Sequence, residues 1–215
     1  MVAVEVKPRY RGVVHLWAFV ASGLASITLT AVTAAVAGGL ATVAAAVYAV
    51  TSTVLFGTST LYHRGDWSAR AELVVRRLDH TMIFLFIAGT YTPLCLIGMP
   101  APTGLRVLAL VWAGALAGVA LRLLWPESPG SRAVPIYVGL GWVFAFVVPQ
   151  LLQRSGVAVL VLMIVGGVLY TIGGAIFAAR RPDPWPRTFG FHEIFHVATV
   201  LAAACHHTAI WLVLL

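Results

Sequence analysis

Apolar residues in this chain come in long runs, and what punctuates them is polar, glycine or proline. The runs predict seven helical segments, each near the ~20 residues that cross the hydrocarbon of a bilayer. The first covers residues 13–33 and ends before the Gly38-Gly39 turn. The second covers 40–62 and is stopped by His63-Arg64-Gly65-Asp66. Residues 66–77, with Trp67, Arg70, Arg76 and Arg77, read as a short helix lying at the membrane interface. The third segment starts at Asp79 and breaks at Gly98-Met99-Pro100-Ala101-Pro102. The fourth covers 105–124, closed by Trp125-Pro126, and the fifth and sixth cover 134–152 and 157–179. Prolines 182, 184 and 186 keep the linker 180–187 from being helical throughout. The seventh segment covers 191–215.

Composition agrees with that pattern. Of 215 residues, 60% are hydrophobic and 10% charged, against about 25% charged in a typical soluble domain. The expected class is therefore an all-α membrane protein: a cytoplasmic tail at residues 1–12, then one seven-helix domain over 13–215. The tail runs straight into a full-length span without a cleavable-signal pattern. Cys95 and Cys205 both lie in apolar segments and read as packing residues. Gly114-Ala-Leu-Ala-Gly118, Gly166-Gly167 and Gly173-Gly174 permit close helix approach, read first as packing within the chain and second as a homodimer face.

The net charge of +7 would suit a nucleic-acid partner, but its distribution points to membrane lipids instead. With the N-terminus inside, the inner segments hold Lys7, Arg9, Arg11, Arg64, Arg70, Arg76, Arg77, Arg122, Arg132, Arg180, Arg181 and Arg187, leaving Arg106 and Arg154 outside. Such a bias for short loops places the N-terminus in the cytoplasm and the C-terminus outside.

Topology then brings chemistry together. His63 ends the second segment, Asp79 starts the third, and His192 and His196 occupy the first turns of the seventh, all at the cytoplasmic end. Ser59 lies one turn before His63 on the same helix face. Two histidines four apart share a helix face and can reach one metal ion. A third imidazole completes a zinc shell of the catalytic type, with a position left for water or substrate. Zinc lowers the pKa of such a water toward ~7, Asp79 can accept its proton, and Ser59 can orient the site. Against this stand plainer roles: Asp79 as a helix N-cap or a partner of Arg77, Ser59 bonding its own backbone, and His63 simply ending its helix. His-Glu-Ile-Phe-His also matches HExxH, with Glu193 as general base, but no acid follows Glu193 to supply a third ligand. Glu193 is alternatively the base of a lipid hydrolase or a partner of the metal-binding side chains. The one lysine, Lys7, is in the tail, so a retinal protein is disfavoured. A bis-histidine haem needs matching histidines on a second helix, and the third segment has only His80. His206 and His207 lie about 15 Å or more from His192 at 1.5 Å per residue. His15 and His80 fall outside the matched set and read as structural.

At Ser59-Thr-Leu-Tyr-His63, Leu78-Asp79-His80 with Ala88-Gly-Thr-Tyr-Thr-Pro93, Phe189-Gly-Phe-His-Glu-Ile-Phe-His196, and Cys205-His206, the chain resembles the bacterial hemolysin III family. That family sits among the progestin and adipoQ receptors, which include the adiponectin receptors. The resemblance implies seven helices in a bacterial inner membrane and zinc near the cytoplasmic face. It implies His63, His192 and His196 as ligands, with Asp79 and Ser59 beside them. Kinship with alkaline ceramidases implies hydrolysis of a lipid amide, whereas the hemolysin name implies pore formation. The expected function is a zinc-dependent hydrolase of a lipid amide or ester. The alternatives are a non-enzymatic channel, receptor or membrane-homeostasis protein with structural zinc, and an intramembrane metalloprotease.

Overall fold

The computed structural model describes residues 8–125 and 130–215; the readings that involve Lys7 and Pro126 lie outside them. Among the described residues the regular structure is helical. Seven α-helices follow in order: α1 Val13–Val36, α2 Gly39–Arg64, α3 Ala69–Leu96, α4 Ala101–Leu124, α5 Val134–Gly141, α6 Val148–Ala179 and α7 Phe191–Leu214. Among the described residues five stretches are long and apolar enough to cross a membrane: α1, α2, α4, α7 and the 50-residue Gly130–Ala179. Large apolar side chains such as Trp17, Leu24, Ile27, Leu110 and Phe146 are exposed on the outside of the bundle, as lipid-facing positions would be.

Two differences from the sequence expectation matter. The polar stretch 66–77 is not a separate interfacial helix, because its larger part forms the first turns of α3. Ser68 starts that helix by accepting the Ala71 N–H, and no glycine or proline intervenes before Gly89. The fifth segment, in turn, is not one α-helix. Residues Trp142–Val147 tighten into a 3₁₀ turn between α5 and α6. Tyr91 holds that turn from α3: its hydroxyl donates to the Gly141 carbonyl at 2.7 Å and accepts the Phe144 N–H at 2.9 Å. These bonds occupy backbone groups that the change of helix type releases. Farther on, Gly156 breaks α6 with φ +80° and ψ 176°.

Helices adjacent in sequence pack most extensively, α1 on α2, α2 on α3, α3 on α4 and α6 on α7, and α7 also meets α1 and α3. α3 lies between two apolar clusters. Phe84, Tyr91 and Leu94 join Val111, Phe144 and Met163 in one. Met82 and Phe86 join Leu29, Tyr48, Phe56 and Ile210 in the other. Small residues face neighbours of the same chain: a Cβ at Gly118 would run into Phe84, and one at Gly173 would reach Ala198 at 3.0 Å. Threonines along the spans return their hydroxyls to their own backbone, as Thr33 does to Leu29 and Thr92 to Ala88. Polar groups in apolar surroundings are thereby satisfied within the helix.

Candidate metal centre

Four helices converge on the end of the bundle where α2 stops and α7 starts. The chain entering α1 turns at Gly12, which has φ +77°, and a Cβ there would lie 2.8 Å from His63 Cβ. A side chain is thus disfavoured both by the backbone conformation and by the approach to α2. The preceding segment lies along the α6–α7 linker, with the Arg9 and Tyr10 N–H groups bonded to the Arg187 and Thr188 carbonyls at 3.0 and 3.1 Å. α7 is started by Glu193, whose Oε2 accepts the Gly190 N–H at 2.8 Å, and by Asp183, which accepts the Phe191 N–H. The other Glu193 oxygen takes the Arg11 Nε–H at 2.7 Å. Glu193 is buried, with 1% of its side chain exposed, while Arg11 retains 21%. An ion pair therefore ties the entrance of α1 to the first turn of α7.

Inside that frame lie His63, His192 and His196, whose ligand-type nitrogens all fall within 4.8 Å of one another. His192 Nε2 and His63 Nε2 are 3.2 Å apart. Two nitrogens at 2.0–2.1 Å from one tetrahedral ion would be about 3.3 Å apart, so this spacing fits a shared metal. Among the described residues His196 Nδ1 is buried with no protein hydrogen-bond partner, an arrangement that is costly unless a metal or water meets the ring. Donor chemistry and spacing both fit a metal ion.

Asp79 and Ser59 stand beside the triad, both buried. Ser68 caps α3, so Asp79 is not the N-cap; its carboxyl meets the Ser59 hydroxyl. Ser59 also contacts His15 Nδ1 at 2.7 Å. His63 sits in the last turn of α2 and ends the helix while still facing the site. Glu193 is engaged by Arg11 and Gly190.

Two spaces meet here. A narrow, mostly apolar cavity of about 130 Å³ runs from His63 and His192 past Ile87 and Phe195 to His206. A polar vestibule of about 630 Å³, lined among others by Arg11, Tyr62, Asp66 and Arg76, opens outside it. His63, Asp79, His80 and His192 border both.

Sequence reasoning set His15 aside, yet its ring stacks on His196 at 3.7 Å and 10°. His80 is held within the bundle: its Nδ1 is 2.7 Å from the Arg122 guanidinium and its carbonyl accepts the Tyr137 hydroxyl. His206 is remote from the triad on α7 and contacts the Met163 carbonyl through Nε2 at 3.2 Å. His207 pairs with Tyr48 and Trp211.

Comparison with known proteins agrees with this architecture. The family model described as haemolysin-III related matches residues 4–207. The chain belongs to the hemolysin III family. It is 31% identical over 157 residues to Hemolysin-3 of Bacillus cereus, covering 73% of this chain and 68% of that protein. Against Monocyte to macrophage differentiation factor of Homo sapiens it is 26% identical over 169 residues, 77% of this chain and 68% of the relative. Against the Adiponectin receptor protein of Drosophila melanogaster it is 25% identical over 177 residues, 73% of this chain and 39% of that protein. These relatives place this hemolysin III chain within the progestin and adipoQ receptor superfamily. Family and apolar helices together make it an integral, multi-pass membrane protein.

Proposed function

We propose that the chain is a seven-span protein of the bacterial inner membrane that holds zinc between His63, His192 and His196 and hydrolyses a lipid amide or ester. The break at Gly156 supports seven crossings, since it divides Gly130–Ala179 into two lengths, each near the ~20 residues of a span. α3 supplies another, because from Asp79 onward it carries no further Asp, Glu, Lys or Arg. A cytoplasmic N-terminus is supported by the arginines that gather at the vestibule end, including Arg11, Arg76 and Arg180.

The observation that carries the hydrolase reading is the placement of the triad and Asp79 where the polar vestibule meets the apolar cavity. An amphipathic lipid has its amide or ester bond at the same boundary. The apolar cavity would take the chain and exclude water, and the vestibule would take the headgroup. Imidazole donors suit zinc. When bound, zinc supplies a Lewis acid that polarises a carbonyl and makes water a better nucleophile at neutral pH. Asp79 borders both spaces and is held by Ser59, which suits a general base that takes the proton of the attacking water. Glu193 has both oxygens engaged. We give it the role of holding α1 to α7, and the metalloprotease reading loses its base.

One observation favours the second reading, a non-enzymatic channel or receptor with structural zinc: His63 and His192 tie the end of α2 to the start of α7. Asp79→Asn separates the two. It keeps the size of the side chain but cannot act as base, so turnover of a lipid amide should fall by ~10²–10⁴-fold with zinc still bound. A panel of ceramides and phospholipids with no zinc-dependent turnover by the unaltered protein would refute the hydrolase and leave the structural-zinc reading.

A further inference from the structure

The geometry points to His15 as a positioning residue: it orients Ser59, and through Ser59 the Asp79 carboxyl, while its ring fixes the plane of His196. The inference deepens the proposed metal site and rests on the reading of the three histidines as its ligands. His15 comes from α1, which contributes no ligand. It is 4% exposed in a chain segment long and apolar enough to cross a membrane, where a polar side chain is costly unless used.

The ring has two aromatic neighbours. His196 stacks at 3.7 Å with the planes 10° apart. Phe56 meets the ring edge-on at 5.2 Å and 77°. Rotation about the final torsion of a histidine is soft, so a flat neighbour at stacking distance restrains which way His196 presents its nitrogens. Anchored from α1 and α2, His15 is that neighbour.

The nitrogens decide the direction of the hydrogen bonds. Nδ1 lies 2.7 Å from Ser59 Oγ, and Nε2 is buried with no protein partner among the described residues. A proton on Nε2 would be a buried donor without an acceptor, the costlier of the two tautomers. The proton therefore sits on Nδ1 and is donated to Ser59 Oγ. That leaves the Ser59 hydroxyl hydrogen for the Asp79 carboxyl, which it meets. The opposite direction would spend the Ser59 hydrogen on His15 and leave Asp79 without a donor from Ser59. A chain His15 Nδ1–H to Ser59 Oγ–H to Asp79 results.

The test separates the hydrogen bond from the stack. In ¹⁵N-histidine spectra of metal-free protein in lipid nanodiscs, the signals lost in His15→Phe should report a neutral ring protonated at Nδ1. Protonation at Nε2 would overturn the inference. Because His15 acts through Ser59, the melting-temperature losses of His15→Phe and Ser59→Ala should not add in the double variant; additive losses would overturn it. For the stack, zinc affinity is measured by chelator competition. His15→Asn keeps a donor near the Nδ1 position but removes the ring, and should weaken zinc binding by about 10–100-fold, as loss of a residue supporting a ligand does. His15→Phe keeps a ring on His196 and should bind zinc within a few-fold of the unaltered protein. Equal zinc affinity in His15→Asn and the unaltered protein would overturn the stacking role. If the unaltered protein binds no zinc, the metal reading fails, and the tautomer and the coupling still decide the hydrogen-bond role.

Discussion

Glu193 offers a decisive perturbation, because sequence and structure give it different roles. It is buried, its Oε1 takes the Arg11 Nε–H at 2.7 Å, and its Oε2 takes the Gly190 N–H at 2.8 Å. Glu193→Ala removes both bonds. Breaking a buried ion pair by deleting one partner costs about 3–5 kcal/mol, and the low end applies here because Arg11 is 21% exposed and can rehydrate. The lost contact at the start of α7 adds about 1 kcal/mol. The sum, about 4 kcal/mol, is a large share of the 5–15 kcal/mol typical of a folded protein, and for a chain of this size it lowers the melting temperature by roughly 8–16 °C. Glu193→Gln keeps an acceptor for Gly190 and loses the charge, so its shift should be roughly half as large. Circular dichroism melts in detergent micelles measure both variants, with zinc content and turnover of a lipid amide followed in the same samples. A Glu193→Gln protein that melts within ~2 °C of the unaltered protein, yet has lost its turnover with zinc in place, would refute the holding role and make Glu193 the base.

Two further predictions concern the frame of the site. Gly12→Ala forces a side chain into φ +77° and toward His63; it should cost about 1–2 kcal/mol from the backbone alone and weaken zinc binding, measured by melting and chelator competition. For orientation, Thr188→Cys in the α6–α7 linker should resist an impermeant thiol reagent in intact cells, while Gln153→Cys before the Gly156 break should react, both positions being exposed. The reverse pattern would put the site on the external side.

Much of this site could be read from the sequence because its strongest signals are local. His192 and His196 share a helix face by spacing alone, and Ser59 and His63 do likewise. Bringing the two pairs to one depth took only the topology of the apolar runs and the arginine bias. His15 escaped because its partners, Ser59 on α2 and His196 on α7, are 44 and 181 positions away, and no local period links them. The available signal was physical: a histidine within an apolar span, at the end that also carries His63 and Asp79, needs a partner. At Glu193 the local pattern and the tertiary contact point to different roles. HExxH is a local pattern, whereas the pairing with Arg11 that engages its carboxylate is tertiary. In the fold, the Gly156 break coincided with the predicted gap between the fifth and sixth segments. The 3₁₀ turn at Trp142–Val147 did not show, since it depends on the Tyr91 hydroxyl reaching across from α3.

The central claim is that α2 and α7 share one metal ion, and the zinc content of His63→Ala tests it most directly. Purified from membranes and measured by atomic emission, the unaltered protein should carry about one zinc per chain, and His63→Ala should lose most of it, as a three-histidine shell requires. Full zinc in a folded His63→Ala protein would contradict the account, because His192 and His196 on α7 would then suffice without α2.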